Sequence, residues 1–115
     1  NSIVTYFEYQ KYKFLFMGDS SSKTEEYLIN NYNLTNISFL KVGHHGSNTS
    51  SSPLFINKIP PKVSLISVGR NNFYHHPNKE VLTNLSNSVI YRTDINKSIK
   101  IKINNKVKIT KLNNN

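Results

Sequence analysis

Leu40-Lys41-Val42-Gly43-His44-His45-Gly46-Ser47 changes character at its midpoint. From Ile37 to Val42 the residues are apolar and β-branched enough to predict a strand. Gly43 then opens a polar loop that carries two imidazoles, a second glycine and a run of Ser, Asn and Thr as far as Ser52. The same junction recurs on either side. Phe14-Leu15-Phe16-Met17 is a continuous apolar run, which predicts a strand over 12–17 buried on both faces. It stops at Gly18-Asp19. Val63 to Val68 reads as another buried strand, and a loop over 71–78 follows it with Tyr74-His75-His76-Pro77. Val89-Ile90-Tyr91 is a short strand leading to Arg92-Thr93-Asp94.

Further out, Ile3 to Tyr9 predicts a strand that turns at Gln10-Lys11 into the one over 12–17. Ser22 and Glu25 have the S-x-x-E spacing of a capping box, so a helix is expected over 22–31. Pro53 suits the first turn of a short helix ending near Lys58, and Pro60-Pro61 closes it. A third helix is expected over about 79–85. Ile99 to Ile103 and Lys106 to Lys111 alternate with period two around Asn104-Asn105, which predicts a closing hairpin. The order β-β-α-β-α-β-α-β-β-β makes the fold class α/β (or α+β) with short connections. The tail Asn113-Asn114-Asn115 is expected to fray.

The 115 residues suit one domain or part of one, and 37% hydrophobic residues allow a small core. With no cysteine, disulfides, thiolate metal sites and thiol nucleophiles are excluded. No stretch reaches the roughly 18 apolar residues of a membrane-spanning helix. The chain starts Asn1-Ser2-Ile3, without Met and without a basic segment leading into an apolar run, so a piece of something longer is expected. Fifteen Lys and Arg against six Asp and Glu give a net charge of +9. That balance favours a polyanionic partner, either nucleic acid or an anionic membrane surface.

Asp19, His44 and His45, His75 and His76, and Asp94 all stand where a strand gives way to a loop. If those strands lie parallel in one sheet, the four loops crowd one edge. A carboxylate and imidazoles gathered there suit a divalent ion such as Zn²⁺ or Mn²⁺. Taken singly, each residue has an ordinary alternative. Asp after Gly is common in turns and helix caps, a His pair is common on surfaces and in cores, and Asp94-Ile95-Asn96 is usual turn chemistry.

In order, Leu15 to Asp19, Leu40 to Ser47, Ser67 to Pro77 and Tyr91 to Asp94 resemble the second half of the metallo-β-lactamase-like domain of ComEC-type DNA-internalisation (competence) proteins. The family pattern is an apolar run with GD, then KVGHHGS, then SVG-x-NN-x-YGHP, then YRTD. The resemblance covers about residues 12 to 103. It implies half of an αββα sandwich, with a mixed sheet and helices on one face, over residues 1–112.

The resemblance also implies roles. Asp19 matches the aspartate that bridges two metal ions, and His45 matches the last histidine ligand, with Zn or Mn as the metal of the intact domain. His44 then lies behind the ligands or faces a phosphate. Ser47, Asn48, Thr49 and Ser50 are placed to hold a phosphodiester. His76 matches the histidine of GHP, a substrate contact or proton donor, and Asp94 the aspartate of TD, which orients a histidine. His75 stands where the family has Gly, bringing either strain or an extra imidazole. The family's H-x-H-x-D-H motif, which supplies most ligands from the N-terminal half, is absent from the chain.

The implied function is part of a metal-dependent phosphodiesterase or nuclease in DNA uptake, weakly active or inactive alone. Weak metal binding, or none, is expected of this piece by itself. A non-catalytic basic DNA-binding module is one alternative, and another hydrolase of the same fold is a second. The partners expected are single- or double-stranded DNA, the N-terminal half of the same domain, and another copy of the chain through an exposed apolar face. Phe73, Tyr74 and Tyr91 are candidates for stacking on bases. The parent is expected at the cell membrane with this domain extracytoplasmic or peripheral, and the piece itself soluble.

Overall fold

The computed structural model describes residues 3–47, 50–69, 76–104 and 106–111, with His44 and His45 described in backbone only. β1 (Thr5–Tyr9) turns back through Gln10 and Lys11 into β2 (Tyr12–Phe16). Both turn residues have positive φ, as a two-residue hairpin between right-twisted strands requires. α1 (Ser22–Asn31), β3 (Phe39–Lys41), α2 (Pro53–Lys58), β4 (Val63–Ile66), α3 (Lys79–Asn84) and β5 (Val89–Arg92) follow. A short α4 (Thr93–Asn96) and the hairpin β6 (Ile99–Asn104) and β7 (Lys106–Lys111) complete the described chain.

The main sheet has the order β1-β2-β3-β4-β5. β1 is antiparallel to β2, and β2, β3, β4 and β5 are mutually parallel. The expected mixed α/β architecture is therefore present. Three crossovers step in one direction along the sheet, and because such crossovers are right-handed they place their helices on the same face. The core follows this rule. Leu15, Leu40, Val42, Ile66 and Val68 from the sheet pack with Leu28, Phe55, Ile56, Val81 and Leu85 from the helices.

The opposite face carries a row of stacked rings. The Phe14 ring centroid lies 4.7 Å from that of Phe7 and 4.9 Å from that of Phe39, and both rings stack nearly parallel to it. The strand over 12–16 is not buried on both faces throughout. Phe14 and Leu15 are buried, but Phe16 at the end of the row is 38% exposed. The β6–β7 hairpin lies towards this face. Val107 and Ile109 share a cleft of about 980 Å³ with Phe39 and Val63, and Lys111 Nζ sits 6.0 Å from the Tyr91 ring centroid.

Glu25 departs from its expected role. The cap of α1 is Ser21, and no side chain closes it. Glu25 instead turns inward, is 1% exposed, and accepts hydrogen bonds from the backbone N–H of Ser51 and of Ser52, the latter at 3.1 Å. It thereby ties α1 to the start of α2. Burial pushes its carboxyl above the ordinary range, outweighing the two N–H donors that favour the anion. A raised carboxyl pKa means that the folded state holds the proton longer than the unfolded chain does. This group's contribution is therefore fullest in acid and declines as pH rises from 4.5 through the folded pKa. The stability difference between wild type and Glu25→Gln, measured by urea unfolding, should shrink as pH rises over that window. A constant difference would show that Glu25 is ionised equally easily in both states.

Candidate active site

The parallel run from β2 to β5 sends four chain segments over one edge of the sheet, as the sequence led us to expect if the strands were parallel. Backbone pairing continues past the strand ends and locks these segments together. Met17 N–H donates to Lys41 O at 3.2 Å, and Val42 N–H to Leu65 O at 2.8 Å. At the last junction a side chain takes over. The Thr93 hydroxyl accepts from Val68 N–H at 2.8 Å and donates to Val68 O at 2.9 Å. Thr93 thus fastens the end of β4 to the end of β5.

Asp19 follows β2 in the turn with Gly18 and is exposed. Lys41, half-buried at the end of β3, has its ammonium held below the ordinary lysine range by burial, an effect that Asp19 partly offsets by attraction. Gly43 to Gly46 forms a single 3-10 turn rather than an irregular loop, and the backbone of His44 and His45 lies within it. A side chain at Gly43 would meet Ser20 O at 2.9 Å, so this turn is pressed against the one that carries Asp19.

Gly46 has φ of +80°, and a Cβ there would lie 2.5 Å from Pro77 Cβ and 2.9 Å from its Cα. Asn78 N–H donates to Gly46 O at 2.7 Å. These contacts bind the turn of His44 and His45 to the segment carrying His76, which is half-buried and precedes a cis Pro77.

Three serines after the turn face inward. Ser47, Ser50 and Ser51 are buried. The Ser50 hydroxyl lies 2.8 Å from Gly43 O and 3.0 Å from Ser47 O, so its one proton is shared between two carbonyls. Asn84 Nδ2 donates to Ser51 O at 3.1 Å. Asp94 lies in the first turn of α4 and its side chain is 10% exposed, with both carboxylate oxygens on Arg92. Arg92 Nε donates to Oδ1 at 3.0 Å and Nη2 to Oδ2 at 2.7 Å, the two-pronged geometry that fixes a carboxylate's orientation.

The four parallel strands therefore set Asp19, the backbone of His44 and His45, Ser47, His76 and Asp94 along one edge of the sheet, with the ends that precede Asp19 and Asp94 three strands apart. The imidazoles of His44 and His45, and the whole of Asn48, Thr49, Phe73, Tyr74 and His75, lie outside the described residues. So does the tail over 112–115. Among the described residues no three of Asp, Glu and His gather into a group that could hold a metal ion. The carboxylate of Asp19 and an imidazole such as His45 match a divalent ion in kind, but two donors fall short of the four that Zn²⁺ takes.

Sequence reading missed the residues that build the edge rather than line it. Thr93, between Arg92 and Asp94, has no local signal that its hydroxyl joins two strand ends. Gly46 was visible as a glycine, while its neighbour Pro77, 31 positions away, was not visible as such. Arg92 as the partner of Asp94 was legible in principle, because the two side chains of a strand-to-helix corner can meet at i, i+2.

The chain is similar to known proteins over most of its length. It is 37% identical over 109 residues to ComE operon protein 3 of Bacillus subtilis, a match covering 93% of the chain and 14% of that protein. It is 44% identical over 68 residues to Competence protein ComA of Neisseria gonorrhoeae, covering 58% of the chain and 10% of that protein. With Recombination protein 2 of Haemophilus influenzae the identity is 38% over 71 residues, 62% of the chain and 9% of that protein. No family model matches the chain, and no solved structure matches it. It spans about a seventh or less of the length of these relatives. At these identities the chain belongs with the ComEC family of competence proteins, as the counterpart of a short segment of them.

Proposed function

We propose that this chain supplies one half of a metal-dependent phosphodiester hydrolase site that acts on DNA during uptake. The observation that carries this reading is the convergence of four parallel strand ends, with Asp19, the His44–His45 turn, His76 and Asp94, on one edge of the sheet. Its likeness to competence proteins points to DNA as the substrate class.

In this reading Asp19 and His45 are metal ligands. A bound divalent ion would supply an activated water and offset the charge that builds on phosphate oxygens. His44, Ser47, Asn48, Thr49 and His75 hold the substrate. His76 exchanges a proton with the leaving oxygen, and Asp94, held by Arg92, fixes a neighbouring polar group in place. The remaining ligands come from the N-terminal half of a metallo-β-lactamase-like αββα domain, which covers the ring-lined face or, failing that, leaves it to a second copy. The parent protein works at the cell membrane with this domain extracytoplasmic or peripheral. In the chain itself no helix among the described residues is long and apolar enough to cross a membrane.

Calorimetric titration of Mn²⁺ and Zn²⁺ into the 115-residue chain tests the half-site. Binding should be on the order of millimolar or weaker, since two donors cannot satisfy a four-coordinate ion. Micromolar binding abolished by both Asp19→Ala and His45→Ala would overturn the half-site and make the chain a complete one.

A further inference from the structure

Residues 97–111 contain six lysines and no Asp or Glu. The β6–β7 register sorts them by face. Ile99 pairs with Lys111, Ile101 with Ile109 and Ile103 with Val107, and these five apolar side chains are half-buried. Lys100 pairs with Thr110, Lys102 with Lys108 and Asn104 with Lys106, and all four lysines of this second face are exposed. Lys102 lies directly opposite Lys108, an arrangement that weakens a two-stranded ladder by like-charge repulsion. The ribbon thus holds a positive face outward, with no carboxylate paired to it among the described residues, while its apolar face turns towards the sheet.

We propose that the outward face of the β6–β7 ribbon docks the sugar-phosphate backbone of a nucleic acid. Alternate residues along a strand repeat at about 6.8 Å, so Lys100 and Lys102 on one strand and Lys106 and Lys108 on the other form a grid of point charges. Such a grid follows a phosphate chain without reading bases. The same face bears Thr110 and Asn104 but no apolar side chain. That composition disfavours a lipid surface, where an amphipathic element buries apolar side chains beside its lysines. The inference deepens the hydrolase reading by naming where its polyanionic substrate is held away from the reacting edge.

The test is fluorescence anisotropy of a labelled single-stranded oligodeoxynucleotide with the 115-residue chain, in chelator so that cleavage plays no part. Lys100→Gln, Lys102→Gln and Lys108→Gln are combined in one variant. Lys23→Gln, Lys58→Gln and Lys79→Gln, all exposed and outside the ribbon, form a control with the same net charge. The ribbon variant should flatten the slope of log affinity against log salt by about 2, at roughly 0.7 for each phosphate that a lysine no longer neutralises. It should also bind at least about tenfold more weakly than the control, with an undiminished melting temperature. Equal weakening in both variants would overturn the proposal in favour of bulk charge. Binding to phosphatidylglycerol vesicles with none to the oligonucleotide would overturn it in favour of a membrane surface. Neither result bears on metal-dependent cleavage, which is measured separately.

Discussion

Asp19→Ala, placed in a full-length family protein that carries this chain as its segment, should slow metal-dependent cleavage of a labelled oligonucleotide by about a hundredfold or more. The reason is geometric. Asp19 sits in the turn where β2, the first of the four parallel strands, ends, beside the 3-10 turn of His44 and His45, and its side chain is exposed. Its exposed carboxylate gives up its attraction to Lys41, so the variant's unfolding free energy should stay within about 1 kcal/mol of wild type. A large loss of rate with little change in stability separates a ligand from a structural turn residue. Asp94→Asn offers the contrast. It breaks a two-pronged pair with Arg92 and acts through a neighbour, so a loss of about 10- to 100-fold is expected. If Asp19→Ala cleaves DNA at the wild-type rate, Asp19 holds no metal and the proposed site is wrong.

Gly46→Ala should be the most damaging addition of a single methyl group at this edge, costing about 3 kcal/mol of stability. Two effects add. A residue with Cβ in the left-handed region costs roughly 1–2 kcal/mol. Forcing the new methyl into Pro77, where 2.5 Å separates it from Cβ, adds about 1–3 kcal/mol of overpacking. The backbone of Pro77 is at 2.9 Å, so no flexible side chain can swing away to relieve the clash. The response is movement of the segment carrying His76 away from the turn of His44 and His45, with loss of the Asn78 to Gly46 hydrogen bond. Thermal unfolding measures the cost. A variant as stable as wild type would show that the two segments are not packed as described.

The strands and the three longer helices were legible because each has a local signal. Alternation marked β6 and β7, apolar runs marked β2 and β4, and Pro53 marked the start of α2. The gathering of Asp19 with the His44–His45 turn was legible only conditionally, since strand direction is a property of pairing and no residue announces it. What escaped was tertiary. Glu25 has the spacing of a capping box and yet serves Ser51 and Ser52, because a pair of N–H groups 26 and 27 positions away outweighs a solvent-exposed cap. Ser50 reads as a loop hydroxyl open to a ligand, but it is buried and two carbonyls claim its proton. The α4 turn was missed because Thr93 to Asn96 is too short to show a helical period.

The exposed outer strand β1 also has a bearing on solubility during folding. Its five residues lie at the sheet margin, with all five exposed. Behind it runs β2, whose Phe14-Leu15-Phe16 segment has the composition of a strand that would recruit identical strands if left uncovered. Because a two-residue turn joins them, β1 can close over β2 on the microsecond scale of hairpin formation, ahead of the slower parallel pairings. Glu8 on β1 and Lys11 in the turn then put charge on the new margin, which resists edge-to-edge growth. The first hairpin thus acts as a guard against amyloid-like stacking while the rest of the sheet assembles.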